Sequence, residues 1–156
     1  MELVFDDRGL LIPGVYDVSM DDVKEYFGRF QRTDRRPTLF GKLVEYLDTL
    51  KRAGIGGSVI VDGSFVMANI DEPDDIDLVL VLPVDWDLNG DLGPNQYNLV
   101  SRREVNNRFG LDVLVVNTGS GDEMGWIEFF GRTNLKWRVK FGWPSDTRKG
   151  IVRVSL

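Results

Sequence analysis

Residues 75–82 read Asp75-Ile76-Asp77-Leu78-Val79-Leu80-Val81-Leu82, two carboxylates followed by an unbroken apolar run. An apolar segment of this length predicts a strand from Ile76 to Leu82, buried on both faces after an acidic entrance. Upstream, Ser58-Val59-Ile60-Val61 is short and β-branched. It predicts a second buried strand that enters the turn Asp62-Gly63-Ser64. Downstream, residues 83–95 are rich in Pro, Asp, Asn and Gly and read as loop. Gln96 to Phe109 then reads as a helix ended by Gly110, and Leu111 to Val116 as a third strand.

Working further outward, residues 1–18 form an extended arm with a turn at Ile12-Pro13-Gly14. Ser19 caps a helix that runs to about Phe30, with Asp21 and Asp22 in its first turn. Arg32 to Arg36 is a polar connector, and Pro37 stands where a first helical residue would. Leu39, Leu43, Tyr46, Leu47 and Leu50 recur at helical spacing up to Gly54. Asp122 to Phe130 predicts another helix, and Ile151-Val152-Arg153-Val154 a last strand. Apolar strands alternating with helices predict one α/β (α+β) domain spanning residues 1–156, a mixed central sheet flanked by helices.

The 156 residues have neither cysteine nor histidine. Disulfide frameworks, thiolate zinc sites, cysteine nucleophiles and Ser-His-Asp triads are therefore excluded. Acid–base or metal chemistry must rest on carboxylates, lysines, tyrosines or hydroxyls. The net charge of −6 has the wrong sign for a protein that coats nucleic acid without sequence preference. The apolar run Leu78 to Val84 is far too short for a membrane span, and the first residues lack a signal-peptide pattern. The expectation is a cytoplasmic domain with no membrane association.

In a strand, residues two apart point to one side, so Asp75 and Asp77 project together while Ile76 and Leu78 face away. Two like charges at the mouth of an apolar strand repel and are costly to desolvate. A hard cation between them reverses that cost. Asp112 repeats the pattern within Leu111-Asp112-Val113-Leu114-Val115-Val116. If the two strands are neighbours, three carboxylates converge as the ligands of a two-metal site. The plainer alternatives are a solvated strand edge, Asp74-Asp75 in a turn, and Asp112 accepting an arginine or capping a loop.

Gly63-Ser64 follows one strand and opens Phe65 to Asn69, a candidate short helix. Glycine permits the tight turn, and a serine hydroxyl beside exposed N–H groups receives phosphate oxygens. Gly63-Ser64, ten intervening residues, Asp75-Ile76-Asp77-Leu78 and a later Asp112 between Leu111 and Val113 resemble the nucleotidyltransferase superfamily, the fold of DNA polymerase beta and the aminoglycoside nucleotidyltransferases. The resemblance covers about residues 56–117. The flanks, including the arm from Phe5 to Gly14, look like small prokaryotic proteins assigned to the same fold.

The resemblance implies a minimal nucleotidyltransferase fold and Mg²⁺-dependent (or Mn²⁺-dependent) transfer of a nucleoside monophosphate from an NTP to a hydroxyl. Asp75, Asp77 and Asp112 would be the catalytic and metal-binding carboxylates, and Gly63 and Ser64 would hold the β- and γ-phosphates. The acceptor is a protein side chain, an RNA 3′ end or a small molecule. A toxin–antitoxin or defence context, with a partner protein, is a further expectation. Two departures stand out. Phe65-Val66-Met67-Ala68 is apolar where many members carry an arginine, and Asp62 occupies a position that is usually apolar. Replacement cations are sought among Arg132, Lys136, Arg138, Lys140, Arg148 and Lys149, which equally suit a solvated face. Trp126, Trp137, Phe141 and Trp143 read as core or interface side chains rather than base-stacking platforms. The rival functions are a non-catalytic nucleotide- or partner-binding domain and a metal-dependent phosphodiesterase.

Overall fold

Apolar strands from both ends of the chain meet in one sheet. A computed structural model describes residues 2–86 and 92–156. The middle of the loop expected at 83–95 lies outside the described residues. The strands are β1 (Val15–Asp17), β2 (Ser58–Asp62), β3 (Asp77–Leu82), β4 (Asp112–Asn117) and β5 (Ile151–Ser155), in the order β1-β5-β2-β3-β4. The outer pairs, β1 with β5 and β3 with β4, are parallel, and β2 is antiparallel to both its neighbours. The mixed α/β architecture expected from the sequence is thus present. Among the described residues six α-helices accompany the sheet, and none is long and apolar enough to cross a membrane.

Alternation along each strand separates two apolar layers. Val59, Val61, Leu78, Leu80, Val113, Val152 and Val154 point to one face. There they meet α1 (Met20–Phe27), α2 (Arg35–Arg52) and α4 (Arg102–Phe109) through Phe27, Leu43, Leu47 and Phe109. Ile60, Val79, Val81, Val116 and Ile151 point to the other. That face is covered by α5 (Gly121–Phe130), chiefly through Phe130, Trp126 and Ile127.

Several elements differ from expectation for local reasons. The arm folds back on itself through a bridge between Phe5 and Leu11, buries Leu3, Leu10 and Leu11, and ends in β1, which the sequence did not suggest. The first helix stops at Gly28, whose N–H closes on Lys24 and Val23. The second begins at Arg35, so Pro37 is its third residue, where a missing N–H costs nothing because first-turn donors lack helical acceptors. The single helix expected over 96–109 is two, α3 (Pro94–Val100) and α4, divided at an extended Ser101 whose hydroxyl caps the second. The helix expected after Gly63-Ser64 is a 3₁₀ turn over Ser64–Val66. A short helix, α6 (Leu135–Phe141), was not anticipated. It is capped by Asn134 and closed by a left-handed Gly142.

Candidate active site

Strand register brings the carboxylates together. Asp62 pairs with Asp77 across β2 and β3, and Asp77 with Asp112 across β3 and β4. Residues directly opposite share a face, so the three aspartates form one row at the end of the α5-covered layer. Asp62, the residue that departed from the sequence pattern, is its most buried member. Its partner is Lys149, which is 3% exposed and donates to the Asp62 carboxylate and, at 2.9 Å, to the Phe130 carbonyl. Burial pushes the Asp62 carboxyl up, and Lys149 works against that shift.

Asp77, at the centre, has its carboxyl pushed up to about 6. Desolvation is the main cause, followed by the charges of Asp62, Asp112 and Asp75. Asp112 is held from outside the sheet. Arg102, the first residue of α4, donates Nε and Nη2 to its two oxygens at 2.7 and 2.9 Å. The pairing of Asp112 with an arginine, one of the plainer alternatives, is therefore present. Asp75 is exposed just before β3. Among the described residues no three acidic side chains are gathered so as to hold a metal ion as they stand.

A cavity of about 580 Å³ opens at this end of the sheet. Gly63, Ser64, Asp75 and Asp77 line it together with Arg132, Arg138 and Lys149. Asp112 is not among the lining residues. Gly63 has φ +84°, and a Cβ there would stand 3.0 Å from an Asp77 carboxylate oxygen, so only glycine fits this turn. Ser64 Oγ accepts the Asp74 N–H at 3.0 Å, which ties the turn to the acidic segment. The Nε of Arg138 is buried without a hydrogen-bond partner among the described residues, while its Nη1 donates to the Ser145 carbonyl at 2.7 Å.

Two parts of this framework escaped the sequence reading. Arg36, placed in a polar connector, is 1% exposed and donates to the carbonyls of Phe65, Met67, Ile70 and Phe27 at 2.6–3.2 Å. It therefore clamps the segment that follows Gly63-Ser64 onto α2. Burial lowers its pKa to about 10, still cationic near neutrality. Lys149 was considered only as one of several C-terminal cations; its burial against Asp62 is a tertiary contact with no local signature.

A family model, the Family of unknown function (DUF6932), matches residues 3–155, and the chain belongs to that family. No curated protein and no solved structure matches the chain.

Proposed function

We propose that this cavity binds an NTP and transfers its nucleoside monophosphate to an acceptor hydroxyl. One observation carries the reading: Gly63, Ser64, Asp75 and Asp77 share a cavity with Arg132, Arg138 and Lys149, so hard oxygen donors and cations lie in one cavity, the two kinds of group a metal-bound triphosphate needs. The apolar segment after Ser64 then needs no arginine of its own, because cations arrive from the C-terminal third. The donors suit a divalent ion in kind, being hard oxygens around an Asp77 carboxyl whose ionisation its neighbours oppose. Asp75 and Asp77 would hold Mg²⁺, or Mn²⁺, with Asp112 joining once Arg102 releases it; the ion supplies neutralisation of the triphosphate and of the developing charge.

The residues of the chain supply position and charge. Ser64 and the Gly63 turn receive the terminal phosphates, and Arg138, whose Nε is unpartnered among the described residues, offsets their charge. The acceptor oxygen bonds to the α-phosphorus, the bond to the bridging oxygen of the β-phosphate breaks, and pyrophosphate leaves. The acceptor proton passes through the carboxylate row to solvent. The cytoplasm, which holds both NTP and magnesium, is the proposed location.

A specific contact favours a second reading. The bidentate Arg102–Asp112 pair withholds one ligand, as in a domain that binds nucleotide without turnover. Calorimetry with a non-hydrolysable NTP and Mg²⁺ tests binding, and incubation with labelled NTP and cell lysate tests transfer. A fitted affinity that weakens by about 1–3 kcal/mol of binding free energy in Arg138→Ala, with a labelled macromolecule, supports the enzyme. Binding without label supports the second reading. Absence of heat at millimolar nucleotide overturns both.

A further inference from the structure

Apolar side chains stand on both sides of α5. Trp126, Ile127 and Phe130 pack its inner side onto the sheet, yet its outer side carries Met124 and Phe129, which are 72% and 56% exposed. A helix that is apolar all round is one that another body covers. α6 repeats the pattern. Trp137 turns inward, while Leu135 and Val139, one turn apart, are 63% and 74% exposed. Half of the large apolar side chains exposed among the described residues fall between Met124 and Phe141. Phe129 and Leu135 both line the larger cavity, so the two outer sides meet at its rim.

The outer sides have complementary relief. On α6, Leu135 and Val139 make a ridge at four-residue spacing. On α5, Gly121 and Gly125 stand at the same spacing with nothing within 4 Å of where a Cβ would be, and Met124 and Phe129 flank them. Such a ridge packs into such a groove. The ridge of the same chain does not fill it, since both are exposed. Charge fits the same pairing. Glu128 and Lys136 are engaged within the chain, by Arg132 and Asp74. Asp122, in the first turn of α5, has no ion pair among the described residues, and Lys140, in the last turn of α6, rests over the Trp137 and Phe141 rings without an anionic partner there. In antiparallel helices the first turn of one meets the last turn of the other. Laying α5 against the α6 of a second copy therefore brings Asp122 to Lys140 in the register that brings Met124 to Val139 and Phe129 to Leu135. A two-fold axis makes each contact twice.

We propose that two copies of this chain associate through α5 and α6 about a two-fold axis, the Leu135–Val139 ridge of each in the Gly121–Gly125 groove of the other. Each copy then borders the other's cavity at Phe129 and Leu135. The pairing stands on the two helices and does not depend on nucleotidyl transfer.

Sedimentation equilibrium of the full chain, without nucleotide or metal, tests the pairing. At about 100 µM the wild type should sediment as a dimer, at twice the 17.7 kDa of one chain. Val139→Glu, at an exposed position outside the cavity, should weaken the dimer about tenfold or more, with helix content unchanged by circular dichroism. Asp122→Lys and Lys140→Asp should each weaken it by about the same factor, because like charges then meet at both contacts. An equimolar mixture of those two variants should dimerise as the wild type does, since opposite charges again meet at both contacts. That rescue also shows that both variants fold. A dimer built on another face, or a face covered by a different protein, has no reason to respond to mixing. A wild type that stays monomeric at about 100 µM, a dimer that withstands Val139→Glu, or a mixture no tighter than its components overturns the proposal.

Discussion

The two faces of the sheet are built from the same strands and do opposite things. At the level where Leu78 and Val113 point into the α2-covered layer, the adjacent residues Asp77 and Asp112 point to the α5-covered one. On the first face α1, α2 and α4 close over an apolar layer that runs to the sheet end. On the second, a single helix leaves that end open, and the aspartate row stands at its border with the cavity. One residue of register separates a core from a site. Stability should therefore be concentrated on the closed face and charge sensitivity on the open one.

The largest expected effect is at the joint between the faces. Arg36→Ala removes a buried guanidinium from four backbone carbonyls and should lower stability by about 4 kcal/mol, measured by urea unfolding. A loss under about 1 kcal/mol would mean that the segment after Ser64 holds its place unaided. Next comes a direct contrast of layers. Leu80→Ala, fully buried on the closed face, should cost about 3 kcal/mol, and Leu114→Ala, half-buried on the open face, about 1 kcal/mol. Equal losses would break the comparison.

Asp77→Asn should act in the other direction. The carboxyl titrates at an ordinary 3.8 in the unfolded chain and at about 6 in the folded one. The folded state thus binds the extra proton between those values, and the penalty that Asp77 imposes on the folded state is relieved as pH falls through 6 toward 4. Above pH 6 the unfavourable charge is fully present. In chelator the Asn variant should then be the more stable by about 1 kcal/mol, the full shift being discounted because Asp77 is only partly buried. That advantage should fade by about pH 4, as followed by thermal unfolding across pH. Added Mg²⁺ should stabilise the wild type more than the variant. A variant less stable than wild type above pH 6 would mean that Asp77 is a structural acceptor.

Much of this contrast is visible in the sequence, for physical reasons. Apolar runs bounded by carboxylates and glycine place β2, β3 and β4 within a residue, because a short buried strand has few other readings. Parity puts Asp75 and Asp77 on one side. What stays hidden depends on contacts between distant segments. Asp62 looks like an anomaly until Lys149 lies against it, and Arg36 looks like solvated polarity until the carbonyls of Phe65, Met67 and Ile70 surround it. In α6, cations and aromatics alternate through Leu135-Lys136-Trp137-Arg138-Val139-Lys140-Phe141, which blurs any apolar stripe in a seven-residue helix. Its caps, Asn134 and Gly142, were the available signal. The break at Ser101 does leave a local signal, since Ser101-Arg102-Arg103-Glu104 has the Ser-x-x-Glu spacing of a helix start.

The smallest effect on stability falls at the row's outer end, and it discriminates most sharply between a metal site and an ion pair. Arg102 is 63% exposed on its side chain, so Arg102→Ala should leave stability in chelator almost unchanged, as expected of an exposed pair. The substitution leaves the Asp112 carboxylate without its bidentate partner, in register beside Asp77. Asp112 then becomes free to join Asp75 and Asp77, and any ion bound there stabilises the folded state by mass action. The Mg²⁺-dependent rise in melting temperature should accordingly be larger in Arg102→Ala than in wild type, and should vanish again in the Arg102→Ala, Asp112→Asn double variant. An identical rise in wild type and Arg102→Ala would show that Asp112 takes no part in metal binding, and that the Arg102 pair only fastens α4 to the edge strand.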